Sequence, residues 1–217
     1  MLPTSLSLDQ GWGVGEESFA QIVEHLRAIE AKSIVEFGSG ISSVRLALEL
    51  PDAQIVSIES NRQWFETVTR MRTEHGVEKN LTVHHRPLRW QRHGLGFFLS
   101  YEPGELPEQI DGVIIDGPPT WTRRGREACL YQVVRRLRVG GRVLLDDYRR
   151  NREKTMVRNW TWSFPGVFAT SAIATGHGLC LMEKLAEPRG FWPSLRAWPD
   201  HFIEVLGVLL THPLRPE

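Results

Sequence analysis

Between residues 33 and 145 the chain alternates short apolar runs with longer segments whose apolar residues recur at helical spacing. Ser33-Ile34-Val35-Glu36-Phe37 reads as a strand, breaks at Gly38-Ser39-Gly40, and gives way to a helix predicted over 42–50. Gln54 to Ile58 is a second strand before a helix over 62–74, and Leu81 to His85 a third. A Gly- and Pro-containing stretch, 86–109, is expected to be irregular; Val113-Ile114-Ile115 and Arg142 to Leu145 then flank a helix near 124–137. Ahead of them Phe19, Ile22, Val23, Leu26 and Ile29 mark an amphipathic helix over 16–30. Strands separated by helices cannot pair as hairpins, so the alternation implies a parallel sheet covered on both faces. The alternation then stops. Val167 to Ala174 and Leu179 to Glu183 are joined only by Thr175-Gly176-His177-Gly178, a link short enough for an antiparallel hairpin alone.

A chain of 217 residues with 41% hydrophobic content can bury one well-filled core, which excludes a disordered tail or a fibre. Lys plus Arg and Asp plus Glu both number 26, so global charge gives no reason to bind nucleic acid or an anionic membrane. The N-terminal residues lack a basic region followed by an apolar stretch, and the apolar run Phe202–Leu210 contains Glu204 and is too short to span a bilayer. Cys129 and Cys180 lie far apart without metal-type spacing, as expected of buried thiols in a reducing cytoplasm. The expected layout is one domain over 1–185, with 1–15 as a lead-in across its site. A Pro- and Trp-containing extension, 186–217, is expected to lie across the domain or to pair copies as a homodimer.

The chemistry concentrates where strands end. Gly38 and Gly40 permit a tight turn and close approach of a ligand, and the helix that follows offers free N–H groups. A dinucleotide fingerprint would want a third glycine or alanine near Ser43, and Glu36 would repel a pyrophosphate; a carboxylate there suits a cationic ligand. Glu59, directly after the second strand, stands where an acid accepts two hydrogen bonds from a ribose diol.

With Glu36 to Gly40, Glu59, the run Val113-Ile114-Ile115-Asp116-Gly117-Pro118-Pro119 and the closing hairpin in this order, residues 16–184 resemble the class I S-adenosylmethionine-dependent methyltransferases. The resemblance implies a doubly wound, mostly parallel α/β sheet of seven strands in the order 3-2-1-4-5-7-6, the last strand antiparallel, with helices on both faces. It implies S-adenosylmethionine (SAM) as cofactor, held by Glu36, Phe37, Gly38, Ser39, Gly40, Ser42, Glu59, Ser60, Pro87, Leu88 and Asp116, with Trp12 covering the site.

Asp116 ends the fourth strand and Asp146-Asp147-Tyr148 the fifth, so three carboxylates meet at the edge where open α/β sheets bind ligands. Asp116, Asp146 and Asp147 are the candidate catalytic residues and also a candidate Mg²⁺ site, similar to that of metal-dependent O-methyltransferases of the catechol and macrolide-sugar types. The alternative reading has Asp147 capping the helix that begins near Arg149 and Asp146 paired with an arginine. Between Arg123 and Arg158 twelve basic residues face four acidic ones, which suits an anionic small-molecule acceptor reached by Arg149 and Arg150, or a merely solvated face. Gly117 and Thr120 depart from the Asp-Pro-Pro-Tyr motif of amino-methyltransferases, and the histidines show no metal spacing, which leaves His93 an unsupported candidate base and His177 a turn residue.

The expected activity is therefore SAM-dependent methylation of a small-molecule or sugar hydroxyl in the cytoplasm, away from membranes. Two other readings stay open: a catalytically silent SAM-binding module, and an N-methyltransferase for an anionic or nucleic-acid acceptor. A nicotinamide dehydrogenase is disfavoured by Ser43 and the terminal hairpin.

Overall fold

The computed structural model describes residues 6–8, 13–94, 96–189 and 198–211. Five parallel strands form the body of the sheet: β1 (Ser33–Phe37), β2 (Gln54–Glu59), β3 (Leu81–His85), β6 (Ile110–Ile115) and β7 (Leu137–Leu145). The closing hairpin, β8 (Phe168–Ile173) and β9 (Leu179–Lys184), inserts β9 antiparallel against β7, giving the order β3-β2-β1-β6-β7-β9-β8. This is the expected order once one extra hairpin is counted.

That hairpin, β4 (Leu88–His93) with β5 (Gly96–Tyr101), corrects the expectation that 86–109 is irregular. Its first strand carries two arginines, a glutamine and a histidine, so it lacks the apolar run that marks a buried strand. Tertiary contacts make it a strand: Gln132 donates to Tyr101 O at 3.0 Å, and Phe98 and Tyr101 are buried against the domain.

Helices α1 (Glu16–Ala28), α2 (Ile41–Glu49) and α3 (Arg62–Glu74) share one apolar core with one face of the sheet. On the other face lie α4 (Gly125–Val133) and α5 (Asn151–Ser163), whose Cys129, Leu130, Met156 and Trp160 are fully buried. Strand residues alternate between the two cores: Ile34, Ile114 and Leu144 face α1 to α3, while Val35, Val113 and Val143 face α4 and α5. Both cysteines are buried free thiols.

The C-terminal extension folds back in its described part. Helix α6 (Trp198–Thr211) packs Val208 inward and lies along β5, leaving Phe202, Ile203, Leu206, Leu209 and Leu210 exposed. No helix among the described residues is long and apolar enough to cross a membrane.

Register decides where the chemistry sits. Ile58, Phe37, Ile115 and Leu145 are consecutive partners across one rung of β2, β1, β6 and β7. The next residue on each strand is Glu59, Gly38, Asp116 and Asp146, so four positions singled out in the sequence line the same carboxyl edge.

Candidate active site

On the β1–β2 side, the glycine loop is fixed from beneath. Gly38 has φ +103°, and a Cβ there would lie 2.8 Å from the backbone nitrogen of Gly117, so the loops after β1 and β6 touch backbone to backbone. Gly117 is equally constrained, since its Cβ would strike the Tyr101 hydroxyl at 1.9 Å. This explains why a glycine stands between Asp116 and the two prolines.

Glu36 lies under the loop. Strand alternation turns it toward the first turn of α2, where it is 1% exposed and accepts from Ser42 Oγ at 2.9 Å, Ser57 Oγ at 2.7 Å and the Ser43 hydroxyl. Burial pushes its pKa up and the three hydroxyls oppose that push. It braces the loop from below. Ser43, the residue that spoils a dinucleotide fingerprint, both donates to Glu36 and accepts from the Gly40 N–H at 3.0 Å. Ser42 is likewise occupied with Glu36, and Phe37 is fully buried, stacking on Tyr101 at 5.9 Å and offering only its carbonyl to Asp116 and Gly117. Ser39 Oγ bonds Ser57 Oγ at 2.7 Å, while its carbonyl accepts from the Trp64 indole at 2.7 Å. Beside this loop, Glu59 Oε1 accepts from the Asn61 N–H at 2.7 Å and from Ser60; burial raises its pKa against those bonds. Pro87 and Leu88 follow β3 on the same edge, and His85 ties β3 to the Ser60 carbonyl at 2.9 Å. Trp12 lies outside the described residues.

The β6–β7 side is built from charges. Arg126, in the first turn of α4 and 6% exposed, donates to Asp147 Oδ2 at 2.9 Å, reaches Asp116 Oδ1 at 3.4 Å and approaches Glu153 at 3.8 Å. Arg150 meets the same oxygen of Asp147 at 2.5 Å. Asp147 adopts φ +62°, the left-handed region that aspartate tolerates better than most residues. Asp116 is raised to about 8 by burial, with Arg126 lowering it and Asp146 and Asp147 raising it further. Gly13 lies close by: a Cβ there would be 3.8 Å from Asp116 Oδ2.

Asp146 is different. It is 1% exposed, and neither carboxylate oxygen has a hydrogen bond of normal geometry. Burial and the neighbouring Asp147 push its pKa up, offset in part by the Asp147 N–H and the Ser18 hydroxyl that Thr175 holds at 2.8 Å.

Two expectations change here. Asp116, Asp146 and Asp147 do not form one ligand set, because the Arg126 guanidinium already supplies the positive charge shared by Asp116 and Asp147; among the described residues the grouped donors are Asp146, Asp147 and His177. A hard cation seeking six or more oxygens finds here two guanidiniums on one of them, so the residues do not fit the expected Mg²⁺ site. The capping alternative fails as well: α5 begins at Asn151 without a side-chain cap, and Asp146 pairs with no arginine among the described residues. Arg149 is exposed, and His93 sits in the β4–β5 hairpin against Phe98 and Tyr131, away from the edge. Sequence reasoning missed Arg126, whose one available signal is its place in the first turn of the helix after β6, where a helix starts back over the carboxyl edge.

The model of one family, described as a methyltransferase domain, matches residues 35–148. Among solved structures, the O-methyltransferase TomG from Streptomyces achromogenes, involved in tomaymycin synthesis and in complex with SAM, aligns with TM-score 0.60 at 19% identity over 80% of this chain and 82% of that one. An O-methyltransferase from Bacillus cereus in complex with SAH aligns with TM-score 0.59 at 14% identity over 79% and 82%. The SAH-bound methyltransferase PaMTH1 from Podospora anserina gives 0.57 at 12% over 86% and 99%. No curated protein sequence matches. At these identities the solved structures speak for the shared fold, whereas the family model takes in more than half of the chain, from within β1 through the residues that follow β7: the chain belongs to the methyltransferase domain family.

Proposed function

We propose that the protein transfers a methyl group from SAM to a hydroxyl of a small-molecule acceptor, with Asp146 taking the hydroxyl proton. The observation that carries this reading is the buried carboxylate of Asp146, which has no hydrogen bond of normal geometry among the described residues and stands one residue past the rung that also delivers Gly38, Glu59 and Asp116. Bound SAM supplies an activated methyl carbon on a sulfonium centre.

The residues supply position and a base. Gly38 to Gly40 and the N–H groups opening α2 form the bed for the cofactor's amino-acid end, with Glu36 and its serines holding that bed rigid. Glu59, with Ser60 beside it, is suited to a ribose diol, and Pro87 and Leu88 to the edge of an adenine. Asp116 lies between the two halves, close to Gly13. SAM, when bound, would give up its methyl group with the carbon–sulfur electron pair left on sulfur; the chain's own part would be Asp146, accepting the proton that the acceptor hydroxyl must lose. A carboxylate whose pKa is pushed up by burial accepts that proton more readily than an ordinary one. No step runs through a divalent cation, because the guanidiniums of Arg126 and Arg150 already occupy Asp147 Oδ2.

Isothermal titration with S-adenosylhomocysteine (SAH), with NAD as control, tests the cofactor half. Affinity on the order of micromolar for the first and none for the second is expected. Asp146→Asn should keep that affinity and lose turnover; NAD binding, or an unimpaired Asp146→Asn enzyme, would overturn the reading.

A further inference from the structure

Beyond Asp147 the edge opens into a cleft of about 560 Å³ lined by Thr120, Arg123, Arg150, Asn151, Arg152 and Glu153. Three arginines in so small a lining need counter-charge. Arg150 finds it on Asp147 at 2.5 Å. The other two find it on a distant part of the chain: Glu204 of α6 takes Arg123 Nη1 on Oε2 at 2.9 Å and Arg152 Nε on Oε1 at 3.6 Å. One carboxylate thus engages two guanidiniums, one with each oxygen, in the geometry by which arginines hold a carboxylate or phosphate ligand.

Two further features show that this contact is shaped. Arg123 stands at φ +60°, ψ −87°, a strained backbone for a residue with a side chain, directly after the turn Thr120–Thr122. Its guanidinium lies flat against α6 at Gly207, where a Cβ would meet Arg123 Cζ at 2.3 Å. Glycine at that position lets the helix come close enough for Glu204 to reach. All three participants keep solvent access, with side-chain exposures of 22–23% for the Arg123–Glu204 pair and 45% for Arg152. The pair is part-buried rather than enclosed, so an anion entering from solvent can compete with Glu204 for the two guanidiniums.

We propose that Arg123 and Arg152 form the subsite for an anionic group, carboxylate or phosphate, on the acceptor, and that Glu204 of α6 occupies this subsite in the free protein as a displaceable stand-in. The inference rests on the methyltransferase reading, and it moves the acceptor contact from Arg149 and Arg150 to Arg123 and Arg152. The subsite joins the reacting edge through the Arg150–Asp147 pair, so an acceptor anchored there by its charge can present a hydroxyl toward Asp146. Entry of the anion releases Glu204 and loosens the outer end of α6.

The test titrates the full chain with inorganic phosphate in one arm and benzoate in the other, with SAH present, for wild type, Glu204→Gln, Arg123→Gln and Arg152→Gln. Removing the internal competitor should tighten the preferred anion about fivefold, and each arginine substitution should weaken it by at least as much. The arm that responds identifies phosphate or carboxylate. Hydrogen exchange on the wild type should show α6 amides losing protection as the anion is added. An α6 that loosens in Glu204→Gln while neither anion binds any variant would make the contact a structural clasp only and overturn the proposal. So would anion affinity indifferent to Arg123 and Arg152. SAH heats recorded in the same samples keep the methyltransferase reading separate, since loss of SAH binding would sink that reading whatever the anions do.

Discussion

The two halves of one sheet edge handle buried carboxylates in opposite ways. Beside β1, Glu36 is enclosed by three serine hydroxyls and its charge never meets a cation. Beside β7, Asp116 and Asp147 share Arg126, while Asp146 has no ion pair or hydrogen bond of normal geometry among the described residues. Neutral donors satisfy a carboxylate in fixed directions and make a rigid support. Ionic partners leave a site whose protonation and occupancy respond to what enters it. The first half is satisfied internally; the second keeps a carboxylate, Asp146, whose oxygens no hydrogen bond of normal geometry holds among the described residues.

The sharpest way to break this contrast is to disable the unsatisfied member. Asp146→Asn should lower kcat by about 10²–10⁴ while leaving SAH affinity within about twofold, the range expected for loss of a positioned base. A matching loss of SAH affinity would mean that Asp146 supports the cofactor half instead. Next in size is Arg126→Ala. It strands Asp116, Asp147 and Glu153 around an empty centre, and removing the cation from such a buried cluster costs about 3–5 kcal/mol. Chemical denaturation reads the loss directly. If stability returned when Mg²⁺ was added to Arg126→Ala, the guanidinium would be standing where a metal can also stand.

Protonation gives a third test on the same half. Unfolded, Asp116 ionises near 3.8; folded, it keeps its proton to about 8. The folded state therefore binds more protons between those values, and stability falls as pH rises from about 4 to about 8. Asp116→Asn removes that contribution, so its melting temperature should fall less steeply than that of the wild type across the window. Parallel curves would show that Asp116 ionises normally.

How much of this was legible in the sequence follows the same division. Alternating strands and helices, the Gly38–Gly40 turn, Glu59 and the hairpin around His177 are local patterns, and each was readable from its own few residues. The residues that settle the charge at the second half are separated in the chain: Arg126 acts on Asp147 across 21 residues and Glu204 on Arg123 across 81. No periodicity announces such pairs. The β4–β5 hairpin was hidden for a related reason, since its first strand is half exposed and takes its stability from Tyr101, Phe98 and Gln132 packed elsewhere. Glu36 was found, but its serine partners were not. Its position near the end of a short apolar strand, two residues before Gly38, signals proximity to the loop, whereas its enclosure depends on Ser57 from the neighbouring strand.

Smaller effects test whether the first half really is a finished support. Ser43→Ala removes one donor from Glu36 and the acceptor of the Gly40 N–H, so a loss of roughly 1–3 kcal/mol is expected, with SAH affinity weakened as the loop loosens. Trp64→Phe is gentler. It deletes the indole donor to the Ser39 carbonyl, a partly exposed bond that water can replace, and should cost about 0.5–1.5 kcal/mol. The informative quantity is the ratio of the two. If the loop is held chiefly from beneath through Glu36, Ser43→Ala must weaken SAH more than Trp64→Phe does. The reverse order would place the decisive restraint on α3, and the serine-enclosed carboxylate would then serve the stability of the strand pair alone.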